Sequence, residues 1–326
     1  MTLLGPPTGA GARRRRSVTL LSGFLGSGKT TLLRRELDRA GDRAPAVLVN
    51  DFGRTGVDDV LLERDGRPPL TLRGGCACCT RREDLARSLA GLLDEEQSGD
   101  GPRRDVVIET SGLSDPGPIA FTVANDPMLK HHYALARVSV TVDAVTGADS
   151  IQRHPVAMRQ LLAADELIVT KADLVAPGDV DVLVQRLQDV NPSASVSVTA
   201  DGELVRTEPP RGSSAVRGRF RATPDAAHTD AISTVELTSD TPLDWEAFAV
   251  WLSLLLHRRG TDVLRVKGLL DVDGSGPVAV NGVQHVIHRP EHLPETVGRG
   301  SRIVLIVQDV DPELLARSFH AFLSPR

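Results

Sequence analysis

The apolar residues of this chain recur in two rhythms. Short continuous apolar runs over 18–21, 45–49, 105–109, 137–143, 166–170 and 195–200 are bounded by Gly, Pro, Asp or Asn. Runs of that length, rich in Val, Ile and Leu, suit strands buried on both faces of a parallel sheet. Between them, apolar residues return every three or four positions over 30–39, 83–96, 156–164 and 180–190, which predicts helices. In the second of these, Leu85, Leu89, Leu92 and Leu93 share one face. A further helix is expected to run to about Asn125. Strand alternating with helix predicts an α/β fold with a mostly parallel sheet.

The rhythm then breaks. Residues 201–230 contain Pro209-Pro210, Gly212-Ser213-Ser214 and Thr223-Pro224-Asp225, the composition of a linker or a loosely ordered segment. Beyond it, strands are expected over 231–237, 263–272, 278–280, 283–288 and 302–308. Helices are expected over 244–257, with Trp245, Phe248 and Trp251, and over 312–322. This is a smaller α+β domain. The expected division is a basic tail over 1–16, a first domain over 17–208, a linker over 209–230 and a second domain over 231–326.

Composition narrows the function. With 326 residues, 40% hydrophobic and 25% charged, the chain is ordinary for a soluble globular protein. A net charge of −5 argues against nucleic acid as a main partner. No stretch has the length and apolarity of a membrane span. Arg13–Arg16 before Val18–Leu25 imitates a signal peptide, but the run ends in Gly26-Ser27-Gly28-Lys29 without a small-residue cleavage site. The three cysteines lie within four residues, which is not a disulfide framework and suits a reducing cytoplasm. Only four of the 38 basic residues are lysines: Lys29, Lys130, Lys171 and Lys267. Lysine at 29 and 171 in so Arg-biased a chain suggests a need for a compact ammonium.

The first apolar run leads directly into Gly23-x-x-x-x-Gly28-Lys29-Thr30, followed by a helical pattern. This is a P-loop in its strand–loop–helix setting. Gly23, Gly26, Ser27, Gly28 and Thr31 complete the phosphate cradle. Lys29 supplies charge to the β/γ-phosphates, and the Thr30 hydroxyl ligates Mg²⁺. Asp105–Glu109 ends in an acid followed by Thr110-Ser111-Gly112. Behind a P-loop, Glu109 is the expected second Mg²⁺ element, and the Gly112 N–H is placed to sense the γ-phosphate. A later strand ends in Thr170-Lys171-Ala172-Asp173. In that pattern the aspartate accepts hydrogen bonds from guanine, the lysine stem packs on the ring, and adenine is rejected. Thr199-Ala200 is a candidate for further backbone contact with the base.

Gly74-Gly75 precedes Cys76-Ala77-Cys78-Cys79. Closely spaced thiolates on a turn can converge on one soft or borderline ion. Three sulfurs leave a tetrahedral ion one position short, the mark of a transfer site rather than a closed structural one. Asp51, at the end of a strand, is a candidate for the fourth position, alongside water or a partner protein. A redox pair Cys76/Cys79 and simply buried thiols are the competing readings. His131-His132 reads as surface. His285, His288 and His292 cluster in sequence, but alternate strand positions set His285 and His288 on opposite faces.

Gly23–Thr30, Asn50-Asp51-Phe52-Gly53, Gly75-Cys76-Ala77-Cys78-Cys79, Glu109–Gly112 and Thr170–Asp173, in this order, resemble the CobW-type P-loop GTPases, relatives of the nickel-insertion GTPases. Arg265-Val266-Lys267-Gly268 and Val283-Gln284-His285 resemble the C-terminal domain of that family. The resemblance implies a GTP-dependent metallochaperone for Zn²⁺, or for Co²⁺ in some members; no catalytic base or arginine finger is evident in the sequence, so slow intrinsic hydrolysis is expected. It would be served by Mg²⁺ and would hand its metal to a client metalloprotein, with homodimerisation open. The chain departs from the family pattern in three places. Asp51 replaces the usual glutamate, Arg54 stands where many members carry a second acid, and the histidine-rich tract of many members is absent. The alternatives are a GTP-gated regulatory or redox module and, against the Thr170–Asp173 element, a small-molecule kinase.

Overall fold

A computed structural model describes residues 15–41, 44–50, 70–71, 79–98, 104–210, 232–284, 286–287, 290–293 and 300–323. The chain divides into two compact units, one of residues 1–187 and 194–209, the other of 188–193 and 210–326.

The first unit is built on a sheet of eight strands among the described residues. These are β1 (Arg16–Gly23), β2 (Ala46–Asn50), β3 (Leu70–Thr71), β4 (Val106–Thr110), β5 (Tyr133–Asp143), β6 (Glu166–Thr170), β7 (Ser195–Ala200) and β8 (Glu203–Glu208). Their order is β3-β2-β4-β1-β5-β6-β7-β8. Every neighbouring pair is parallel except β7 and β8. The expected α/β fold is thus present. The continuous apolar runs have their cause here, because central strands are covered on both faces: Val18, Leu20, Ile108, Val138 and Leu167 are fully buried. The helices are α1 (Lys29–Ala40), α2 (Cys79–Gln97), α3 (Pro116–Asn125), α4 (Leu129–His132), α5 (Gly147–Arg153), α6 (Pro155–Ala163) and α7 (Pro177–Val190). Parallel strands put their carboxyl ends on one edge. Gly23, Thr110, Asp143 and Thr170 end β1, β4, β5 and β6 there.

The structure differs from the sequence expectation at several points. Arg16, grouped above with the tail, opens β1 and is buried. Its guanidinium donates to Leu92 O and Tyr133 OH. Strand β5 starts at Tyr133 rather than Arg137, and α2 starts at Cys79 rather than Glu83. The short helix α5 carries too few turns for a period to show. Residues 203–208, inside the expected first domain but in the stretch with a linker-like composition, form an edge strand where no strand was expected. Asp201 and Gly202, at φ 44° and 69°, make a two-residue hairpin turn that folds β8 back on β7. Its exposed, charge-rich face suits a sheet edge.

The second unit holds strands β9 (Ile232–Ser239), β10 (Val263–Val272), β11 (Gly276–Val283), β12 (Val286–Ile287), β13 (Glu291–His292) and β14 (Ser301–Gln308). They pair antiparallel in the order β12-β11-β10-β14-β9, with β13 on β11. Helices α8 (Trp245–Arg259) and α9 (Pro312–Leu323) supply Phe248, Trp251 and Phe319 to its core. The Asp244 carboxylate caps α8 by accepting from the Ala247 N–H. The strand expected over 283–288 is interrupted at Gln284, whose φ of 51° turns the chain. His292 is exposed, and His285 and His288 lie outside the described residues.

Candidate functional site: the nucleotide end of the sheet

The loop after β1 is held open by its glycines. A Cβ on Gly23 would lie 2.3 Å from Thr141 Oγ1 and 2.5 Å from Thr141 O, so no side chain fits. Gly28, at φ 85°, is the N-cap of α1. It offers no side-chain cap, and the first turn of α1 has no acidic residue. No side chain therefore competes with an anion for the positive end of the helix. The Lys29 ammonium, nine-tenths buried, donates to Gly23 O (2.9 Å) and Phe24 O (3.1 Å). Gly26 and Thr31 are exposed and Ser27 is buried. The Phe24 ring stacks on His154 at 4.6 Å.

A layer of buried hydroxyls lies beneath the loop. Ser27 Oγ and Thr141 Oγ1 are 2.7 Å apart, Thr141 Oγ1 donates to Ser22 O, and Thr110 Oγ1 donates to Ser22 Oγ at 2.9 Å. These bonds tie the ends of β1, β4 and β5 into one platform.

At the phosphate end, Thr30 Oγ1 donates to Glu109 Oε1 at 2.5 Å, and Glu109 is 4% exposed. A hydroxyl and a carboxylate in contact form a hard oxygen donor set, which suits Mg²⁺ and not a soft metal. Gly112 begins the next loop. A Cβ there would meet Leu25 Cδ2 at 2.6 Å and Leu25 N at 2.7 Å, so this loop lies directly on the P-loop.

At the other end, Thr170 Oγ1 donates to Ser27 O at 2.8 Å, so its side chain braces the P-loop. Lys171 adopts φ 58°. Its ammonium donates to Gly26 O (2.9 Å) and to Asp143 Oδ2 (2.5 Å). Asp143 also accepts the Val145 N–H, which fixes the carboxylate. Asp173 is exposed, and its Oδ1 accepts the Asp201 N–H at 2.8 Å. That bond, and after it the backbone N–H of Asp173 itself, holds its carboxyl below the usual carboxylate range. The N–H that reaches Asp173 thus comes from the hairpin turn, one residue past Thr199-Ala200. Arg35 pairs with Asp201 at 2.9 Å, and Arg39 pairs with Glu203.

The structure therefore assembles Gly23, Lys29, Thr30, Glu109 and Gly112 at one end and Thr170, Lys171 and Asp173 at the other. Asp51, Cys76 and Cys78 lie outside the described residues, and Cys79 is described only as the first residue of α2. Among the described residues no group of three or more His, Cys, Asp and Glu side chains is placed to hold a metal.

Three contributors were not singled out from sequence. Asp143 carries the signal used for Glu109, an acid ending an apolar strand. Asp201-Gly202 is a hairpin dipeptide that went unread in a stretch taken for linker. Gln160 is a polar residue on the otherwise apolar buried face of α6, beside Ala157 and Leu161.

A profile of the CobW/HypB/UreG nucleotide-binding domain matches residues 17–198. A profile of the C-terminal domain of the cobalamin synthesis protein cobW matches residues 232–323. The chain belongs to the CobW/HypB/UreG family. It is accordingly a GTPase. This CobW-type protein is 33% identical over 288 residues to the zinc chaperone YjiA of Escherichia coli, covering 83% of the chain and 86% of that protein. It is 33% identical over 195 residues to the zinc-regulated GTPase metalloprotein activator 1 of Schizosaccharomyces pombe, covering 57% of the chain and 46% of that protein. Among solved structures, a Zn(II)-bound triple mutant of the YjiA GTPase superposes with a TM-score of 0.68 at 26% identity. It covers 95% of this chain and all of the other. No helix among the described residues is long and apolar enough to cross a membrane.

Proposed function

We propose that this GTPase is a zinc metallochaperone that carries Zn²⁺ on Cys76, Cys78 and Cys79 and yields it to a client metalloprotein when GTP is hydrolysed. One observation carries the reading. The thiols lie between two segments of the nucleotide edge, in a chain similar over most of its length to zinc chaperones. The chain leaves β3 at Thr71, on the carboxyl edge shared with β1 and β4, and enters α2 at Cys79. The thiol motif thus falls in the chain between a strand that ends on the nucleotide edge and the helix α2.

In this reading Lys29 and the N–H groups of Gly26, Ser27 and Gly28 take the phosphates, and Thr31 completes the cradle. Thr30 and Glu109 hold Mg²⁺, which neutralises charge on the β- and γ-phosphates when bound. Lys171 covers the base and Asp173 accepts its two donors. Thr170 serves by fixing Ser27 rather than by touching the nucleotide. Asp51 is the fourth zinc position, and Co²⁺ is the competing cargo. No arginine finger or base is among the residues assembled at the phosphate end, so unassisted hydrolysis is slow.

The test loads the protein with Zn²⁺ and Mg·GTP and follows zinc capture by a chromogenic chelator beside phosphate release. The reading expects the two to rise together, and zinc to stay bound with a non-hydrolysable analogue. Zinc release at the same rate with GTP and with the analogue overturns it. So does unchanged zinc binding in a variant with all three thiols replaced by serine.

A further inference from the structure

Gln160 sits on α6, one side chain away from the loop that follows Glu109, and is 1% exposed. Its amide nitrogen donates to Gly112 O at 3.2 Å and to Ser114 O at 2.9 Å. These two bonds satisfy carbonyls within a tight turn closed by Ser114 N–H to Ser111 O. The neighbouring Arg159 pairs with Asp115 at 3.4 Å, and Asp115 caps α3 through the Gly117 N–H. One turn of α6 thus grips residues 112–115 at three points. On the opposite side Gly112 lies against Leu25 of the P-loop, with no room for a Cβ. The loop is held between the phosphate cradle and Gln160.

The orientation of the amide is forced. Two carbonyl oxygens can be met only by its nitrogen, so Oε1 points away. That oxygen has no partner among the described residues, although Gln160 borders a small cavity with Ser27, Thr141 and Asp143. A buried acceptor without a partner is a cost that leucine at this position would avoid. What the glutamine supplies in return is the pair of bonds to the loop.

We propose that Gln160 is the positioning residue of the γ-phosphate sensor. It fixes the peptide planes around Gly112 so that the loop responds to the third phosphate, and it links that loop to α6, which runs into β6 and Thr170–Asp173. The proposal rests on the reading of Gly112 as the γ-phosphate contact.

The experiment compares GDP and GTPγS affinities with steady-state GTP hydrolysis. In Gln160→Leu, GDP affinity stays within about twofold of wild type, GTPγS binding weakens at least about fivefold, and kcat falls about tenfold with KM little changed. Gln160→Glu adds a readout that a packing role does not move. An ionised carboxylate repels the two carbonyls, whereas a protonated one donates to one of them. This variant therefore resembles Gln160→Leu at high pH and recovers GTPγS affinity as pH falls, while the wild type stays flat. All values within twofold in Gln160→Leu, equal weakening of GDP and GTPγS, or a pH-independent Gln160→Glu each overturns the proposal. Gly112→Ala separates the two levels of the argument. If it binds GTPγS normally, the sensor reading itself fails. If it loses GTPγS while Gln160→Leu does not, only the role of Gln160 fails.

Discussion

The two ends of the nucleotide edge are built by opposite means. At the phosphate end, Lys29 and Glu109 are buried, Thr30 is half-buried, and the three meet one another or the backbone over a platform of hydroxyls. At the base end, Asp173 is exposed and is held by one N–H from a hairpin turn, itself tied to α1 through the exposed Arg35–Asp201 and Arg39–Glu203 pairs. Buried charge-assisted bonds are strong and little screened, whereas exposed ion pairs are worth little and fade with salt. In the proposed reading, phosphate capture is therefore rigid and general, and base reading is the adjustable part.

The largest expected effect lies at the rigid end. Lys29→Met removes charged hydrogen bonds worth about 1.5–3 kcal/mol each and weakens GTPγS and GDP by at least about 100-fold, read by nucleotide titration. A loss below tenfold would mean that the backbone cradle suffices alone. Next, Glu109→Gln raises the Mg²⁺ concentration that half-saturates hydrolysis by about tenfold while nucleotide binding without Mg²⁺ changes little. At the base end, Asp173→Asn lowers the preference for GDP over ADP by about 100-fold, since a carboxylamide cannot accept from both guanine donors.

Acid tests the same carboxylate. Asp173 is held below the usual range by the Asp201 N–H, so its ionised form persists as pH falls and is lost only as pH drops through the lowered value. GDP preference is therefore flat from about pH 8 down to about pH 5. A midpoint inside that interval contradicts the assignment. The smallest effect belongs to Arg35→Ala, which weakens GDP about threefold at low salt and less at high salt. A salt-independent loss would place Arg35 in contact with the nucleotide instead.

Local chemistry made most of the first unit legible. Gly23–Thr30 announces its loop because no other residues permit that backbone and that charge. The buried strands announce themselves because both faces are apolar. What stayed hidden depends on partners distant in sequence. Gln160 has meaning only through Gly112 and Ser114, and Asp143 only through Lys171. Arg16 read as part of a basic tail because nothing local shows that Leu92 O and Tyr133 OH await its guanidinium. The strand β8 is hidden by its charged residues Glu203, Arg206 and Glu208, which mark an edge as readily as a linker. The thiols at 76, 78 and 79 were legible as a metal motif, and their role remains the proposal above.

The most direct test of the account is the equilibrium affinity for Zn²⁺, measured anaerobically against a competing chelator with Mg·GTPγS and with Mg·GDP. The account predicts tighter zinc binding with Mg·GTPγS by at least about tenfold, a coupling of about 1.4 kcal/mol, lost when Cys78 and Cys79 are replaced by serine. Equal zinc affinity in the two nucleotide states, or coupling that survives without the thiols, would contradict it.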